Sequence, residues 1–208
     1  MRRAVIFDMG NVLIDWDPDR VYRSHIPDDQ ERALFFSGLF RRMHWAVHDS
    51  DLTFTEALSP LKAAEPDAVP LIEQFEHRWH DFLFGQIEGS IRVLEELAAA
   101  DVPLYGLTNW PRQTWPPQPG ANAQGAYDFL HHFTDIVVSG KVKMSKPNED
   151  IFDHALAVFD LRADEAVFVD DLIENVATAD RLGLHGIRFT DAGALREELA
   201  GLGLLAPR

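Results

Sequence analysis

The sequence contains no cysteine and few basic residues, and it has no hydrophobic run long enough to span a membrane. Without cysteine there are no disulfides and no thiolate metal ligands, which fits a reducing compartment. The 19 lysine and arginine residues against 34 acidic ones leave a formal net charge of -15, which argues against nucleic acid or an anionic membrane as a partner. The apolar stretch before Asp8 is too short for a signal peptide. We therefore expect a soluble, cytoplasmic protein.

The composition that remains is that of a globular protein, with 46% hydrophobic residues in 208. This length suits one large domain, or a core with a smaller insert. Helical spacing of apolar residues begins after Asp17, which can cap a helix that has Pro18 in its first turn. Thr53 and Glu56 have the spacing of a capping box. The pattern predicts an all-helical insert at residues 16–86.

Short apolar strands alternate with helices in the rest of the chain. The spacing predicts strands at residues 4–7, 102–107, 135–139, 165–169 and 185–189, and helices at residues 90–100, 149–159 and 175–183. Such alternation is typical of an α/β fold, a doubly wound parallel sheet with helices on both faces. We expect this core to consist of residues 1–15 and 87–208.

Polar residues follow three of the predicted strands, and ligands in such folds bind beyond the carboxyl ends of the strands. They are Asp8 in "FDMGNVL", the pair of Thr108 and Asn109 in "LTN", and the pair of Asp170 and Asp171 in "FVDDLIEN". Lys146 in "SKP" lies between the last two motifs. Each residue alone has an ordinary explanation as a turn, cap or solvated side chain. Their succession at strand ends instead predicts a site.

Phosphoryl transfer requires this set of residue types. The carboxylate of Asp8 can act as a nucleophile and form an aspartyl phosphate, which divides a difficult hydrolysis into two easier displacements. Because two anions must then meet, a Mg²⁺ ion on hard oxygen ligands and the Lys146 ammonium are needed to offset their repulsion. The Asp170-Asp171 pair can supply such ligands. A hydroxyl and backbone amides at Thr108 and Asn109 can hold the phosphate oxygens.

These four motifs, with a helical insert between the first two, resemble the haloacid dehalogenase superfamily of hydrolases, most of which are phosphatases. The resemblance covers essentially the whole chain and implies a Rossmann-like core, a helical cap, a Mg²⁺ cofactor and a small phosphorylated metabolite as substrate. It implies Asp8 as the nucleophile and Lys146 as the group that neutralises charge. The metal ligands it implies are Asp8, the Gly10 carbonyl and a carboxylate of Asp170 or Asp171. Asn11 and Asn175 are expected to support the site.

The first motif, "DMGNVL", is similar to a branch of that superfamily that includes sugar-1-phosphate phosphatases. Most phosphatases of the superfamily have a second aspartate at the position of Gly10, where it protonates the leaving group. Glycine cannot do so, and Asn11 cannot deliver a proton at neutral pH. We therefore expect substrates whose leaving group departs with little help: a sugar 1-phosphate, an acyl phosphate or an aryl phosphate. Asp15, Asp17 or a water molecule could replace the missing acid.

Two other functions are consistent with parts of the sequence. A 2-haloacid dehalogenase of the same superfamily needs a cap arginine on the substrate carboxylate, and Arg41 or Arg42 could serve. The paired acids Asp170 and Asp171 argue against it, because they would repel a carboxylate substrate. A non-catalytic protein that binds a phosphorylated ligand or another protein is supported only by the missing acid at Gly10.

Specificity is predicted to lie in the segment "RRMHWAVH", which begins at Arg41 and Arg42 and whose basic and aromatic groups suit a phosphorylated substrate. His44 and His48 are interpreted as cap surface rather than as metal ligands. Trp45 and Trp79 are interpreted mainly as core, although one or two aromatic side chains of the insert are expected at the substrate entrance. The proline-rich loop at residues 110–127 is either a wall of the site or a plain surface excursion.

Overall fold

The fold is taken from a computed structural model, which describes residues 2–48, 51–123 and 127–207. The strands are β1 (Ala4–Phe7), β2 (Ile14–Trp16), β3 (Leu83–Gln86), β4 (Leu104–Thr108), β5 (Asp135–Val138), β6 (Ala166–Asp170) and β7 (His185–Arg188). Five of these strands form one sheet in the order β5-β4-β1-β6-β7, and every neighbouring pair in it is parallel. The predicted parallel sheet is confirmed.

Helices lie in the connections β2–β3, β3–β4, β5–β6 and β6–β7, and one follows β7. They are α1 (Pro18–Tyr22), α2 (Asp29–Phe35), α3 (Arg41–His48), α4 (Phe54–Ala64), α5 (Val69–His77), α6 (Glu88–Ala99), α7 (Ser139–Val142), α8 (Glu149–Phe159), α9 (Ile173–Arg181) and α10 (Ala192–Gly201). A π-helical turn, Phe36–Phe40, joins α2 to α3. Within the described part of the chain, no helix is both long and apolar enough to cross a membrane.

Helices cover both faces of the sheet. In β1 the side chains of Val5 and Phe7 belong to an apolar cluster that includes residues of α6 and α10. The alternate residues, Ala4 and Ile6, belong to a second cluster that includes residues of α8 and α9. Successive side chains of a strand point to opposite faces, so a strand that is apolar throughout must be buried on both. The doubly wound α/β architecture is therefore confirmed.

The helical region between α1 and Phe82 packs around a separate apolar cluster, in which Phe40 contacts both Tyr22 and Phe75. Asp17 accepts a hydrogen bond from the backbone of Arg20 and begins α1, as predicted. The capping box of Thr53 and Glu56 is also confirmed at the start of α4. These caps satisfy backbone N–H groups that a helix leaves unpaired at its first turn.

A two-stranded antiparallel ribbon joins the helical region to the sheet. Ile14 of β2 pairs with Gln86 of β3, and Trp16 pairs with Leu83. The sequence pattern did not predict this ribbon, because strands of three and four residues are too short to establish a period of two. The chain therefore enters and leaves the helical region side by side, close to the end of β1.

β1 lies at the centre of the sheet, and the strand order reverses around it, with β4 on one side and β6 on the other. In parallel sheets such a point leaves a crevice beyond the carboxyl ends of the strands. Asp8, Thr108 and Asp170 stand at the carboxyl ends of these three adjacent strands. The fold thus brings three of the predicted site residues to one edge.

Candidate active site

A cavity of about 270 Å³ opens at this edge, between the sheet and the helical region. Its floor comes from the strand ends and the loops that follow them, and its opposite wall comes from β2, the helical region and the loop after β4. The floor residues include Asp8, Gly10, Asn11, Thr108, Asn109, Lys146, Asp171 and Asn175, and the opposite wall includes Trp16, His44, Trp45, Trp79 and Trp110.

Asp8 is almost fully buried, and one of its two carboxylate oxygens is held in place. Oδ1 accepts a hydrogen bond from the Met9 backbone at 2.7 Å and lies 2.9 Å from Lys146 Nζ. Among the described residues, Oδ2 has no hydrogen-bond partner. The chain can place Asp8 here because it turns back directly after β1, where the backbone N–H groups of Leu13 and Ile14 both bond to the Met9 carbonyl.

Lys146 is fully buried, and its ammonium contacts three oxygens. Nζ lies 2.8 Å from the Leu107 carbonyl, 2.9 Å from Asp8 Oδ1 and 2.7 Å from Asp170 Oδ2. Burial by itself would lower the pKa of Lys146, but Asp170 and Asp8 outweigh it and raise the pKa above its usual value. The ammonium therefore stays charged and joins the ends of three strands.

Asp170 has no exposed surface and is fully hydrogen-bonded. Oδ1 accepts from the Leu172 backbone and from Asn175 Nδ2, and Oδ2 accepts from Asn175 Nδ2 and Lys146 Nζ. Such a network offsets the cost of burying a carboxylate. Asn175, predicted only as a supporting residue, therefore contacts Asp170 directly and lies on the cavity wall.

Three carboxylates come close enough together to hold a metal ion. One oxygen each of Asp8, Asp170 and Asp171 lies within 4.8 Å of the others. Burial raises the pKa of Asp171, and the nearby Asn11 side chain opposes that rise. Asn11 has a left-handed backbone conformation, with φ of 57°, which asparagine tolerates. Carboxylate oxygens are hard ligands, and they bind Mg²⁺ more readily than they bind a soft transition metal. The donor set therefore fits Mg²⁺, and Gly10 lines the same cavity.

The same crowding of carboxylates affects the protonation of Asp8. Burial raises the pKa of Asp8 to about 7, Lys146 opposes this shift, and the negative charges of Asp170 and Asp171 add to it. A bound cation would favour the ionised carboxylate instead. Asp8 is thus the group whose charge is most sensitive to what occupies the site.

Thr108 and Asn109 follow β4 as predicted, and both line the cavity. The side chain of Asn109 is already engaged: Nδ2 donates to the Lys146 carbonyl and Oδ1 accepts from the Lys146 backbone N–H, each at 2.9 Å. The phosphate role predicted for Asn109 involves its backbone amide and stays a prediction. The carboxamide, which was not part of that prediction, fixes the segment that carries Lys146.

Arg41 and Arg42 do not line the cavity, which corrects their placement as substrate contacts. They stand at the start of α3 and border a groove on the outer surface, where Arg42 pairs with Glu65. The physical reason is the orientation of the helix, which turns Met43 and Val47 into the insert's core and leaves both arginines exposed. Trp45, one turn after Arg41, borders the cavity as well as the groove.

His44 and His48 were interpreted as surface residues, and this is wrong. His48 is fully buried, and its Nδ1 donates a hydrogen bond to the His44 carbonyl oxygen, 2.9 Å away. The His44 ring lies on the cavity wall, with its centroid 3.9 Å from that of His48. Burial, with a contribution from His48, lowers the pKa of His44 well below its usual value. His44 is therefore neutral at neutral pH.

Asp15 and Asp17, the open candidates for the missing acid, both form ion pairs with Arg20. They border a separate surface depression rather than the cavity. The acidic side chains that do line the cavity are Asp8, Asp171 and the exposed Glu174. In this structure, therefore, neither linker aspartate stands in for the acid that Gly10 lacks.

The loop after β4 is a wall of the site at its beginning. Trp110 lines the cavity, and the loop then contacts the helical region through Arg112 and Gln113, which donate to the Asp51 and Leu52 carbonyls. Farther on, the Ala121 backbone and the Asn122 side chain bond to Asp81 at 3.0 and 2.7 Å. Residues 124–126 of the predicted loop lie outside the described residues.

Comparisons with known proteins agree with the motifs. The haloacid dehalogenase-like hydrolase family matches residues 2–183. The sesquiterpene phosphatase astK of Aspergillus oryzae is 26% identical over 216 residues, which cover 96% of this chain and 96% of that protein. The D-ribitol-5-phosphate phosphatase of Bacteroides thetaiotaomicron is 23% identical over 210 residues, which cover 96% of this chain and 97% of that one.

A solved structure shows the same fold. It is a HAD-family enzyme of Bacteroides thetaiotaomicron in complex with magnesium, with a TM-score of 0.65 at 20% identity, and the match covers 92% of this chain and 94% of that chain. A family match that extends from β1 through α9 includes every strand end on the floor of the cavity. The chain therefore belongs to the haloacid dehalogenase-like hydrolases.

Proposed function

We propose that the protein is a Mg²⁺-dependent phosphatase that hydrolyses a small phosphomonoester through an aspartyl phosphate at Asp8. The observation that carries the proposal is the state of the Asp8 carboxylate. Oδ1 is held by Met9 and Lys146, whereas Oδ2 has no partner within the described part of the chain and belongs to a residue that lines the cavity. A carboxylate held at one oxygen and open at the other is suited to attack.

In the proposed reaction, Asp8 Oδ2 forms a bond to phosphorus while the bond from phosphorus to the leaving oxygen breaks. The leaving oxygen then takes a proton from water, because Gly10 offers no acid. A second water molecule attacks the phosphorus, which releases inorganic phosphate and restores Asp8. Bound Mg²⁺ would supply positive charge at the developing negative oxygens, and Asp8, Asp170 and Asp171 are the carboxylates that would hold it.

The other residues have positioning and electrostatic roles in this proposal. The Lys146 ammonium reduces the repulsion between Asp8 and the incoming phosphate. Thr108 and the backbone at Asn109 are placed to hold phosphate oxygens, while the Asn109 carboxamide positions Lys146. The helical region would act as a cap over the site, with residues 16–86 as the cap and residues 1–15 and 87–208 as the core. Closure would exclude bulk water from the reaction.

Relatives support a phosphorylated metabolite as the substrate, since two of them are a sesquiterpene phosphatase and a D-ribitol-5-phosphate phosphatase. The missing acid at Gly10 favours esters with good leaving groups, among them the sugar 1-phosphates, acyl phosphates and aryl phosphates.

A cytoplasmic location remains a prediction from the cysteine-free composition. Because the described residues place no arginine on the cavity, the dehalogenase alternative lacks the cation it would need for a carboxylate substrate.

The test is hydrolysis of 4-nitrophenyl phosphate with and without Mg²⁺ by the wild type, Asp8→Asn and Asp153→Asn. Asp153 is an exposed aspartate of α8 that does not line the cavity, and it serves as the matched control. We expect turnover that depends on Mg²⁺, survives in Asp153→Asn and disappears in Asp8→Asn. Turnover that persists in Asp8→Asn would overturn the nucleophile, and chloride release from 2-chloropropionate without metal would favour the dehalogenase.

A further inference from the structure

Four of the five tryptophans of this protein line the cavity, and with one histidine they form a continuous aromatic wall. We use "aromatic wall" for Trp16, His44, Trp45, Trp79 and Trp110. Neighbouring ring centroids along it are 6.3 Å apart for Trp110 and Trp79, 6.2 Å for Trp79 and Trp16, 6.0 Å for Trp16 and His44, and 5.5 Å for His44 and Trp45. The wall lies opposite the carboxylates of the floor.

The surface that lines the cavity is mainly apolar. The indole N–H of Trp110 donates to the Thr114 carbonyl, whereas the indole nitrogens of Trp16 and Trp79 and the Nδ1 of His44 have no hydrogen-bond partner among the described residues. The wall also carries no charge, because His44 is neutral. Among the described residues that line the cavity, Lys146 is the single cation, and it is already paired with Asp8 and Asp170.

The apolar surface continues to the mouth of the cavity. Trp45 is 42% exposed on the side of the helical region, and Leu172 is 47% exposed on the side of the sheet. Both line the cavity. Large apolar side chains that remain in water around a cavity commonly mark a surface that a ligand covers.

We propose that the aromatic wall and Leu172 form a subsite for the leaving group, and that this subsite selects phosphomonoesters of uncharged, apolar and unsaturated alcohols over those of sugars. The inference rests on the proposed phosphatase function, since the floor must hold the phosphate for the wall to face the alcohol. An aromatic or alkenyl group would stack on the indole faces, and its burial would remove apolar surface from water. A polyhydroxylated group would lose hydrogen bonds to water there, and the unpartnered ring nitrogens of Trp16, His44 and Trp79 would replace only some of them.

Binding can be measured apart from chemistry in Asp8→Asn, by the change in tryptophan fluorescence in the presence of Mg²⁺. The ligands are 1-naphthyl phosphate, geranyl phosphate and glucose 1-phosphate. We expect both apolar esters to bind at least about tenfold more tightly than glucose 1-phosphate, a difference of about 1.4 kcal/mol. Geranyl phosphate separates apolarity from leaving-group quality, because its alcohol is apolar but a poor leaving group.

The variants Trp45→Ala and Leu172→Ala test the wall in turnover. Each should lower the ratio of kcat/KM for 1-naphthyl phosphate to that for acetyl phosphate by about threefold to tenfold, as expected for losing one aromatic or aliphatic contact. Leu34→Ala is the matched control, because Leu34 is an apolar residue of the helical region that is 72% exposed and does not line the cavity. It should leave the ratio unchanged.

The outcomes distinguish this inference from the proposed function. Mg²⁺-dependent turnover of acetyl phosphate without preference for apolar esters would overturn the subsite and leave the phosphatase intact. Absence of turnover with every ester, combined with tighter binding of the apolar ones, would overturn the phosphatase and retain the subsite as a binding site. Equal binding of all three ligands would overturn the subsite in either case.

Discussion

The carboxamide of Asn109 bonds to the backbone of Lys146 at both ends, with its Nδ2 2.9 Å from the Lys146 carbonyl and its Oδ1 2.9 Å from the Lys146 N–H. This pair joins the end of β4 to the segment that carries the buried ammonium. The Lys146 side chain in turn contacts Asp8 and Asp170. Asn109 therefore affects Asp8, the candidate nucleophile, indirectly, by fixing the position of Lys146.

Replacement of Asn109 by alanine should therefore lower activity as well as stability. Leaving the Lys146 backbone groups unpaired costs about 1–3 kcal/mol in the free energy of unfolding. We expect kcat with 4-nitrophenyl phosphate to fall by more than KM rises, because the ammonium loses its position beside Asp8. Urea unfolding and steady-state kinetics measure the two effects.

Asn148→Ala is the control, because Asn148 is exposed and its side chain makes no capping hydrogen bond to α8. Equal effects of Asn109→Ala and Asn148→Ala would contradict the positioning role of Asn109.

Gly10 leads to a prediction of gained activity. A Cβ atom built at Gly10 meets nothing within 4 Å, so the first atom of a side chain can be added there without displacing its neighbours. Gly10→Asp should place a carboxylic acid beside the leaving group and raise kcat for a simple alkyl phosphate such as glycerol 2-phosphate by about tenfold to 100-fold, the low end of general-acid catalysis. The rate with an aryl phosphate should change less, because an aryl oxygen needs little protonation.

Gly10→Asn controls for the size of the new side chain, since it adds similar atoms but no acid. It should not accelerate alkyl phosphate hydrolysis. If the aspartate and asparagine variants behave alike, the argument that connects Gly10 to the missing acid is wrong.

The raised pKa of Asp8 predicts how pH and Mg²⁺ interact. The folded protein without metal holds a proton on Asp8 up to about pH 7, whereas the unfolded chain releases it near the ordinary aspartate pKa of 3.8. The contribution of Asp8 to the free energy of unfolding therefore falls as pH rises from about 4 to 7. Mg²⁺ needs the ionised carboxylate, so the increase in Tm that it causes should be larger at pH 8 than at pH 5.5.

Thermal unfolding at a fixed Mg²⁺ concentration across this pH range measures the effect. Asp8→Asn, which has no proton to exchange at this position, should show a smaller increase in Tm with Mg²⁺ and a weaker dependence of that increase on pH. An increase that is independent of pH in the wild type would show that Asp8 is ionised before the metal binds.

The floor of the cavity was predictable because it depends on local order along the chain. Apolar strands that alternate with helices predict a parallel sheet, and parallel strands bring their carboxyl ends to one edge, so Asp8, Thr108 and Asp170 had to come together. Each motif also stood directly after its strand. The doubly wound core and the start of α1 at Asp17 followed from the same kind of short-range signal.

The aromatic wall was not predictable in this way. It is drawn from β2, α3, the turn before β3 and the loop after β4, and a tryptophan at helical spacing looks the same whether it faces a core or a cavity. Arg41 and Trp45 are one turn apart on α3, and which of them lines the cavity depends on how the helical region packs against the sheet. The role of the Asn109 carboxamide likewise depends on a partner 37 residues away.

The loop after β4 is expected to hold the helical region in place, and Gly120 is its point of closest approach. A Cβ at Gly120 would lie 1.9 Å from the His80 carbonyl oxygen, so Gly120→Ala must push the loop away. The hydrogen bonds of Ala121 and Asn122 to Asp81 would then be lost. We expect a loss of about 1–3 kcal/mol in the free energy of unfolding, measured with urea.

A matched glycine separates this contact from the general effect of adding a methyl group. Gly201, in the last turn of α10, has nothing within 4 Å of an added Cβ, and Gly201→Ala should be neutral or stabilising by up to about 1 kcal/mol. Because Trp110 of the loop packs against Trp79 of the helical region on the cavity wall, Gly120→Ala should also raise KM for 1-naphthyl phosphate. A variant that unfolds and binds like the wild type would show that the loop packs against the helical region without restraining it.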